Sequence, residues 1–128
     1  MDNIYINSTD RTPEVDFNFT SNHFSLRGES YPEDVPTFFG PLMTAFSKHV
    51  KSLDGGSSLE FNFELLYFNS TSAKVVMNLL ELLEATASNG AVVTINWRFA
   101  ADDDNMQELG EEFGEDIKIA RFNMCPMT

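Results

Sequence analysis

The sequence predicts an α/β domain in which helices pack on a mixed, largely parallel β-sheet, and three observations support this fold class. Apolar and polar residues alternate in several short segments, as expected for strands with one buried face. Segments with apolar residues at helical spacing lie between these strands, and single helices between strands favour parallel pairing. The 128 residues are 42% hydrophobic and 12% aromatic, which suffices for the core of one domain.

The first predicted elements are two strands and a helix. Residues 14–19 and 23–27 alternate on either side of the turn-forming residues 20–22, which predicts an antiparallel hairpin. Residues 36–51 begin with a proline and carry apolar residues at helical spacing, which predicts a helix. The Gly40-Pro41 pair inside that segment conflicts with helix geometry, so it predicts a kink or a later start.

A strand and an apolar-faced helix form the predicted centre of the fold. Residues 59–67 alternate, which places every second side chain from Phe61 to Tyr67 on one buried face. Residues 71–88 place their apolar side chains within one arc at 100° per residue, and Asn89-Gly90 is typical of a helix end.

The last predicted elements are a strand, an acidic helix and a final strand. They cover residues 92–99, 102–115 and 117–124. The resulting order is ββαβαβαβ within a single domain of residues 1–128, whose polar residues 1–12 are candidates for a flexible segment.

Charge and cysteine content narrow the class of partner and the compartment. The net charge is -12, and the 8 basic residues are scattered, so nucleic acid is excluded as a partner and a protein with some basic surface is expected. The single cysteine, Cys125, cannot form a disulfide framework, which favours the reducing cytoplasm. The sequence begins without a basic, apolar export signal and contains no segment near about 20 apolar residues, so no membrane insertion is expected.

Sequence motifs for catalysis or cofactor binding are not found. The chain lacks the Gly-x-Ser-x-Gly nucleophile elbow and both glycine-rich phosphate loops. The acidic run from Asp102 to Asp116 lacks the spacing of a calcium loop and is typical of a solvated helix face. We therefore expect no enzyme activity, no catalytic residue, no cofactor and no metal site.

The strand-to-helix turn Asn69-Ser70-Thr71-Ser72 is the candidate functional site. Helix N-termini expose backbone N–H groups and carry the positive end of the helix dipole, so they favour anions such as a phosphate. Ser70 is the candidate switch and is expected to cap the following helix in its free form. Ordinary N-capping is the alternative explanation of these residues, although three hydroxyls exceed what one cap requires.

The outer face of the helix that follows is the candidate partner-binding surface. It continues the turn through Lys74, Met77, Asn78 and Glu81. Met77 lies among polar residues rather than in the apolar arc, which suits an adaptable contact with a partner. The alternative is an isolated exposed methionine, which needs no explanation.

Five short segments together resemble the SiaC-type regulatory phosphoproteins, small bacterial domains similar in fold to the anti-anti-sigma, or STAS, domains. The resemblance covers most of the chain. The segments are Thr12-Pro13-Glu14-Val15, Leu26-Arg27-Gly28-Glu29-Ser30-Tyr31-Pro32-Glu33, Leu66-Tyr67-Phe68-Asn69-Ser70-Thr71-Ser72, Asn96-Trp97 and Leu109-Gly110-Glu111-Glu112-Phe113.

The resemblance implies a phosphorylation switch in partner binding. A dedicated Ser/Thr protein kinase would phosphorylate the hydroxyl after the asparagine, which is Ser70 here with Thr71 as runner-up, and a PP2C-like phosphatase would reverse it. The unphosphorylated form would bind and activate a diguanylate cyclase of the GGDEF type, raising cyclic di-GMP and favouring aggregation and biofilm. Three alternatives remain: an anti-anti-sigma antagonist in partner switching, a sensor that binds a small anion at the turn, and a hydrolase with Ser70 as nucleophile.

Overall fold

The computed structural model describes residues 2–128 and consists of one six-stranded sheet with three helices. The strands, numbered in chain order, are β1 Ile4–Ile6, β2 Glu14–Asn18, β3 His23–Ser30, β4 Ser58–Phe68, β5 Val92–Ala100 and β6 Arg121–Met127. The helices are α1 Val35–Lys51, α2 Ser70–Ser88 and α3 Asp104–Gly114.

The strands lie side by side in the order in which they occur in the chain. β1 pairs with β2 and β2 with β3 in antiparallel fashion, whereas the β3–β4, β4–β5 and β5–β6 pairs are parallel. Each parallel pair is joined through one helix. The predicted α/β class, with a mixed and largely parallel sheet, is therefore confirmed.

The helices pack on one face of the sheet over an aromatic core. The Phe24 and Phe46 rings meet edge to face with centroids 5.0 Å apart, which joins β3 to α1. The ring of Phe61 in β4 also lies edge to face with that of Phe46, with the ring centroids 5.5 Å apart. At the other end of the sheet, Trp97 donates its indole N–H to the carbonyl oxygen of Met106 at 2.9 Å and so holds α3 against β5. In the part of the chain that the structure describes, the opposite face of the sheet carries no helix.

Asparagine side chains link the three parallel strands at the β6 edge on this uncovered face. Asn62, Asn96 and Asn123 occupy one register row across β4, β5 and β6. Asn123 donates to Asn96, and Asn96 donates to Asn62, each at 2.9 Å. These bonds satisfy side chains that are only half-buried, so this face is polar where the other is apolar.

The two edges of the sheet differ from the sequence predictions. Ile4–Ile6 forms a strand antiparallel to β2 inside the segment proposed as flexible. The last strand begins at Arg121 rather than at residue 117. The backbone N–H groups of Lys118, Ile119 and Ala120 donate to the Glu84 carboxylate instead of to a neighbouring strand, which delays the start of β6.

The first helix begins before the Gly40-Pro41 pair and continues through it. α1 starts at Val35, and Asp34 caps it by accepting from the Thr37 N–H at 3.1 Å. The predicted alternative of a later helix start is therefore wrong, and Pro41 lies within the helix.

A β-bulge interrupts the pairing of β3 with β4 and corrects the predicted strand faces. β3 continues past Gly28, whose φ of +116° suits glycine, to Ser30. Gly28 pairs with Leu65 but Glu29 pairs with Tyr67, so Leu66 is the extra residue. The prediction that Tyr67 shares the buried face with Phe61 is therefore wrong, because alternation ends at the bulge.

Candidate functional site

The turn between β4 and α2 is held by Asn69. Its side-chain oxygen accepts from the Ser72 N–H at 2.8 Å, which makes Asn69 the N-cap of α2. Its own N–H donates to the carbonyl oxygen of Ser30 at 3.1 Å. The expectation that Ser70 caps the helix is therefore wrong, because Ser70 is already the first helical residue.

Ser72 lies beneath the turn and cannot contact a partner, which corrects its inclusion in the predicted binding surface. Its side chain is only 1% exposed, and its hydroxyl forms a 3.0 Å hydrogen bond with that of Ser30, itself 2% exposed. The two hydroxyls satisfy each other in a buried position. They tie the first turn of α2 to the end of β3, so the exposed part of the turn rests on a fixed base.

Ser70 and Thr71 are exposed at the tip of α2. The cap already uses the Ser72 N–H, whereas the N–H groups of the first two helical residues point out of the helix without intrahelical acceptors. The positive end of the helix dipole lies at the same place. The Ser70 side chain is therefore open to solvent at a place where the helix favours an anion.

The predicted partner-binding residues of α2 are also exposed. Lys74, Met77, Asn78 and Glu81 all lie on the solvent side, with Met77 47% exposed. At 100° per residue, Ser70 lies about 20° and Glu81 about 40° from Met77 around the helix axis. Ser70, Met77 and Glu81 thus form one stripe that leads away from the turn.

Two apolar side chains that precede the turn were missed as candidate surface residues. Leu66 is 61% and Tyr67 50% exposed, because the bulge turns both out of the core. The Tyr67 ring meets the Tyr31 ring edge to face at 5.7 Å. The alternating pattern contains no signal for this exposure, since a bulge depends on pairing with β3.

Glu84 also has a role that the sequence did not indicate. Its carboxylate accepts from the backbone N–H groups of Lys118, Ile119 and Ala120 at distances from 2.5 to 3.1 Å. Partial burial acts to raise the pKa of Glu84, but these donors outweigh it and hold the pKa below its usual range. Glu84 therefore stabilises the loop after α3.

Within residues 2–128, neither histidine forms a hydrogen bond with Ser70. His49 bonds through Nε2 to Asn22 Oδ1 at 2.6 Å and packs edge to face against Phe19. Partial burial lowers the pKa of His49, because it disfavours the charged imidazolium. Within residues 2–128, His, Cys, Asp and Glu side chains form no group of three that could hold a metal ion. No helix in that range is both long and apolar enough to cross a bilayer.

Comparison with known proteins places these features in one family. Residues 6–127 match the model for the SiaC family regulatory phosphoproteins. An uncharacterised protein of Pseudomonas aeruginosa strain UCBPP-PA14 is 33% identical over 119 residues, which cover 93% of each chain.

Solved structures agree with the fold. The crystal structure of apo-SiaC from Pseudomonas aeruginosa superposes with a TM-score of 0.84 at 32% identity, covering 98% of this chain and 99% of that one. The crystal structure of the diguanylate cyclase SiaD in complex with its activator SiaC, from the same organism, gives a TM-score of 0.89 at 31% identity, covering 97% and 99%. By its sequence match and its fold, this chain belongs to the SiaC family of regulatory phosphoproteins.

Proposed function

We propose that this protein binds and activates a diguanylate cyclase in its unphosphorylated form, and that phosphorylation of Ser70 blocks the binding. The relation to a SiaC that is the activator of SiaD supports the class of partner. The observation that carries the choice of residue is the exposed Ser70 hydroxyl at the start of α2, on the same stripe as Met77. A Ser/Thr kinase would add the phosphate, a PP2C-like phosphatase would remove it, and the ATP that the kinase consumes favours the cytoplasm.

The position of Ser70 on the helix favours it over Thr71 as acceptor. Ser70 lies about 20° from Met77 around the helix axis, whereas Thr71 lies about 120° from it. A phosphate on Ser70 would therefore stand at one end of the stripe through Met77 and Glu81. A phosphate on Thr71 would point toward the side of Asn78 instead.

The phosphate would act through desolvation and competition rather than by refolding the domain. The phosphate adds about -1.5 to -2 charges. Burying it in a closed interface would require new hydrogen-bond partners for its oxygens. Lys74 lies one turn after Ser70, so it would pair with the phosphate and be withdrawn from the partner. A cost of about 3 kcal/mol would weaken binding more than a hundredfold.

Variants at the two hydroxyls test this proposal. Ser70→Ala should bind and activate the cyclase as wild type does, and Ser70→Asp should lose most of both. Thr71→Asp is the matched control, because it adds the same charge one residue away. Equal binding by Ser70→Asp and wild type would contradict the proposal, and a loss with Thr71→Asp alone would move the switch to Thr71. Intact-mass analysis and peptide mapping of residues 61–74 from the native host would locate the phosphate.

A further inference from the structure

The uncovered face of the sheet, opposite the helices, is nearly neutral in a strongly acidic chain. Every second strand residue points to it, half-buried or exposed. Up to the bulge in the β3–β4 pair, its acidic residues are Glu14, Asp16, Glu60 and Glu64. Its basic residues are Arg27, Arg98 and Arg121. Four acids and three arginines give this face a net charge of -1, whereas the whole chain carries -12. Two copies of the chain would therefore repel each other little through this face.

One row of side chains on this face alternates in charge across four neighbouring strands. Glu14 pairs with Arg27, and Arg27 pairs with Glu64, whose carboxylate lies 3.3 Å from Arg27 Nε. The parallel register of β4 and β5, extended by one residue, brings Arg98 beside Glu64. The order of charges from β2 to β5 is therefore negative, positive, negative, positive.

This order of charges is self-complementary under a two-fold rotation. Two copies can face each other about an axis that is parallel to the strands and lies between β3 and β4. In this arrangement β2 lies over β5 of the second copy, and β3 lies over its β4. Glu14 then faces Arg98 of the second copy, and Arg27 faces Glu64 of the second copy. Each contact joins opposite charges and occurs twice. The Arg27–Glu64 contacts lie next to the axis, where a twist of about 30° between facing sheets displaces them least.

The two neighbouring rows bring no like charges together in the same arrangement. His23 and Glu60 pair side by side, so each faces the other residue of the second copy. In the asparagine row, Asp16 faces Asn96 of the second copy. An axis perpendicular to the strands, through the asparagine row, would instead place Asp16 against its own copy and Glu64 against Glu60. The charges therefore favour the axis parallel to the strands.

We propose that the uncovered face joins two copies of this chain face to face about that axis. Six strands at a spacing of about 4.8 Å, each contributing about six residues, cover about 500 Å² per copy. The total of about 1,000 Å² is at the lower end of specific interfaces, so the dimer is weak and its geometry is set by charge. The helices, with Ser70, lie on the two outer sides of this dimer. The inference therefore goes beyond the proposed switch and does not depend on it.

Sedimentation equilibrium of the full chain measures this association. At about 0.15 M salt, where long-range repulsion between the acidic chains is screened, the 14.4 kDa chain should associate to twice its mass with a Kd below about 1 mM. A chain that stays monomeric up to about 1 mM would overturn the proposal.

Charge reversal at two positions tests the arrangement of the two copies. Glu14 and Arg98 lie three strands apart, about 14 Å, so they meet only between copies. Glu14→Arg and Arg98→Glu should each weaken self-association at least about tenfold, because like charges then face each other twice. An equimolar mixture of the two variants should associate within about threefold of wild type, because every facing pair again has opposite charges. Unchanged association of either single variant, or a mixture no tighter than the single variants, would refute this interface.

A matched control separates the interface from general effects of charge and folding. Glu111→Arg makes the same charge change at an exposed position of α3, on the helix side, and should leave self-association within about twofold. Circular dichroism checks that each variant is folded, and recovery in the mixture also excludes misfolding. A loss with Glu111→Arg as large as that with Glu14→Arg would contradict the placement of the interface on the uncovered face.

Discussion

Replacing Glu84 by glutamine should destabilise the protein at neutral pH. In acid the same replacement should have little effect on stability. The Glu84 carboxylate accepts three backbone N–H groups of the loop after α3, with the shortest distance 2.5 Å to Lys118. Hydrogen bonds to a charged group contribute about 1.5–3 kcal/mol each when protected from water. Glu84 is only partly buried, so water weakens these bonds, and a glutamine oxygen keeps part of them; we therefore expect a total loss of about 1–2 kcal/mol.

The pH dependence follows from the direction of the pKa shift. The pKa of Glu84 is lower in the folded protein than its ordinary value of 4.5. Its stabilising contribution is therefore complete above pH 4.5 and is lost as the pH falls through the folded-state pKa. The difference between wild type and Glu84→Gln should shrink over the same range, because protonated glutamate also lacks the charge.

Urea or thermal unfolding at pH 7 and at about pH 3.5 measures this difference. At neutral pH the melting temperature of Glu84→Gln should fall by roughly 3–8 °C. Glu81→Gln is the matched control, since Glu81 is exposed on the same helix and makes no hydrogen bond within residues 2–128. A Glu84→Gln protein as stable as Glu81→Gln at pH 7, or a difference that grows in acid, would refute the reasoning.

Three further variants test packing and capping near the site. Gly110→Ala should lower the unfolding free energy by about 1–3 kcal/mol despite the better helix propensity of alanine, because its Cβ would lie 2.4 Å from Trp97 Cδ1. Calorimetry measures the loss, and a stabilised Gly110→Ala would contradict the tight packing of α3 on β5. Asn69→Ala should lose about 1 kcal/mol with the cap bond to Ser72, and Asn69→Asp should retain most of it. Equal stability of these two Asn69 variants in denaturant titrations would argue against the cap.

Periodicity predicted most of the fold, because the long elements have one clearly apolar face. The helix now seen as Ser70–Ser88 was predicted to begin only one residue later, at 71. The short β1 was missed because three residues are too few to establish an alternating pattern. The start of β6 was misplaced because Ile117 continues an apolar pattern, while the hydrogen bonds that hold the following loop come from Glu84, more than 30 residues earlier.

The candidate site was predicted in position but not in detail. Exposure of Ser70 and Thr71 follows from their place at a helix start, which spacing alone gives. The different roles of the neighbouring residues do not follow from spacing, because these roles depend on contacts with β3. Asn69 caps the helix and Ser72 is buried, since Ser30 bonds to both from the adjacent strand.

Binding of the cyclase by protein carrying phosphoserine at position 70 is the most direct measurement of the central claim. Phosphoserine incorporated during translation gives a homogeneous sample, and calorimetric titration compares it with the unmodified chain. We expect at least about a hundredfold weaker binding of the phosphorylated form, with full recovery after phosphatase treatment. Equal affinity of the two forms would contradict the account.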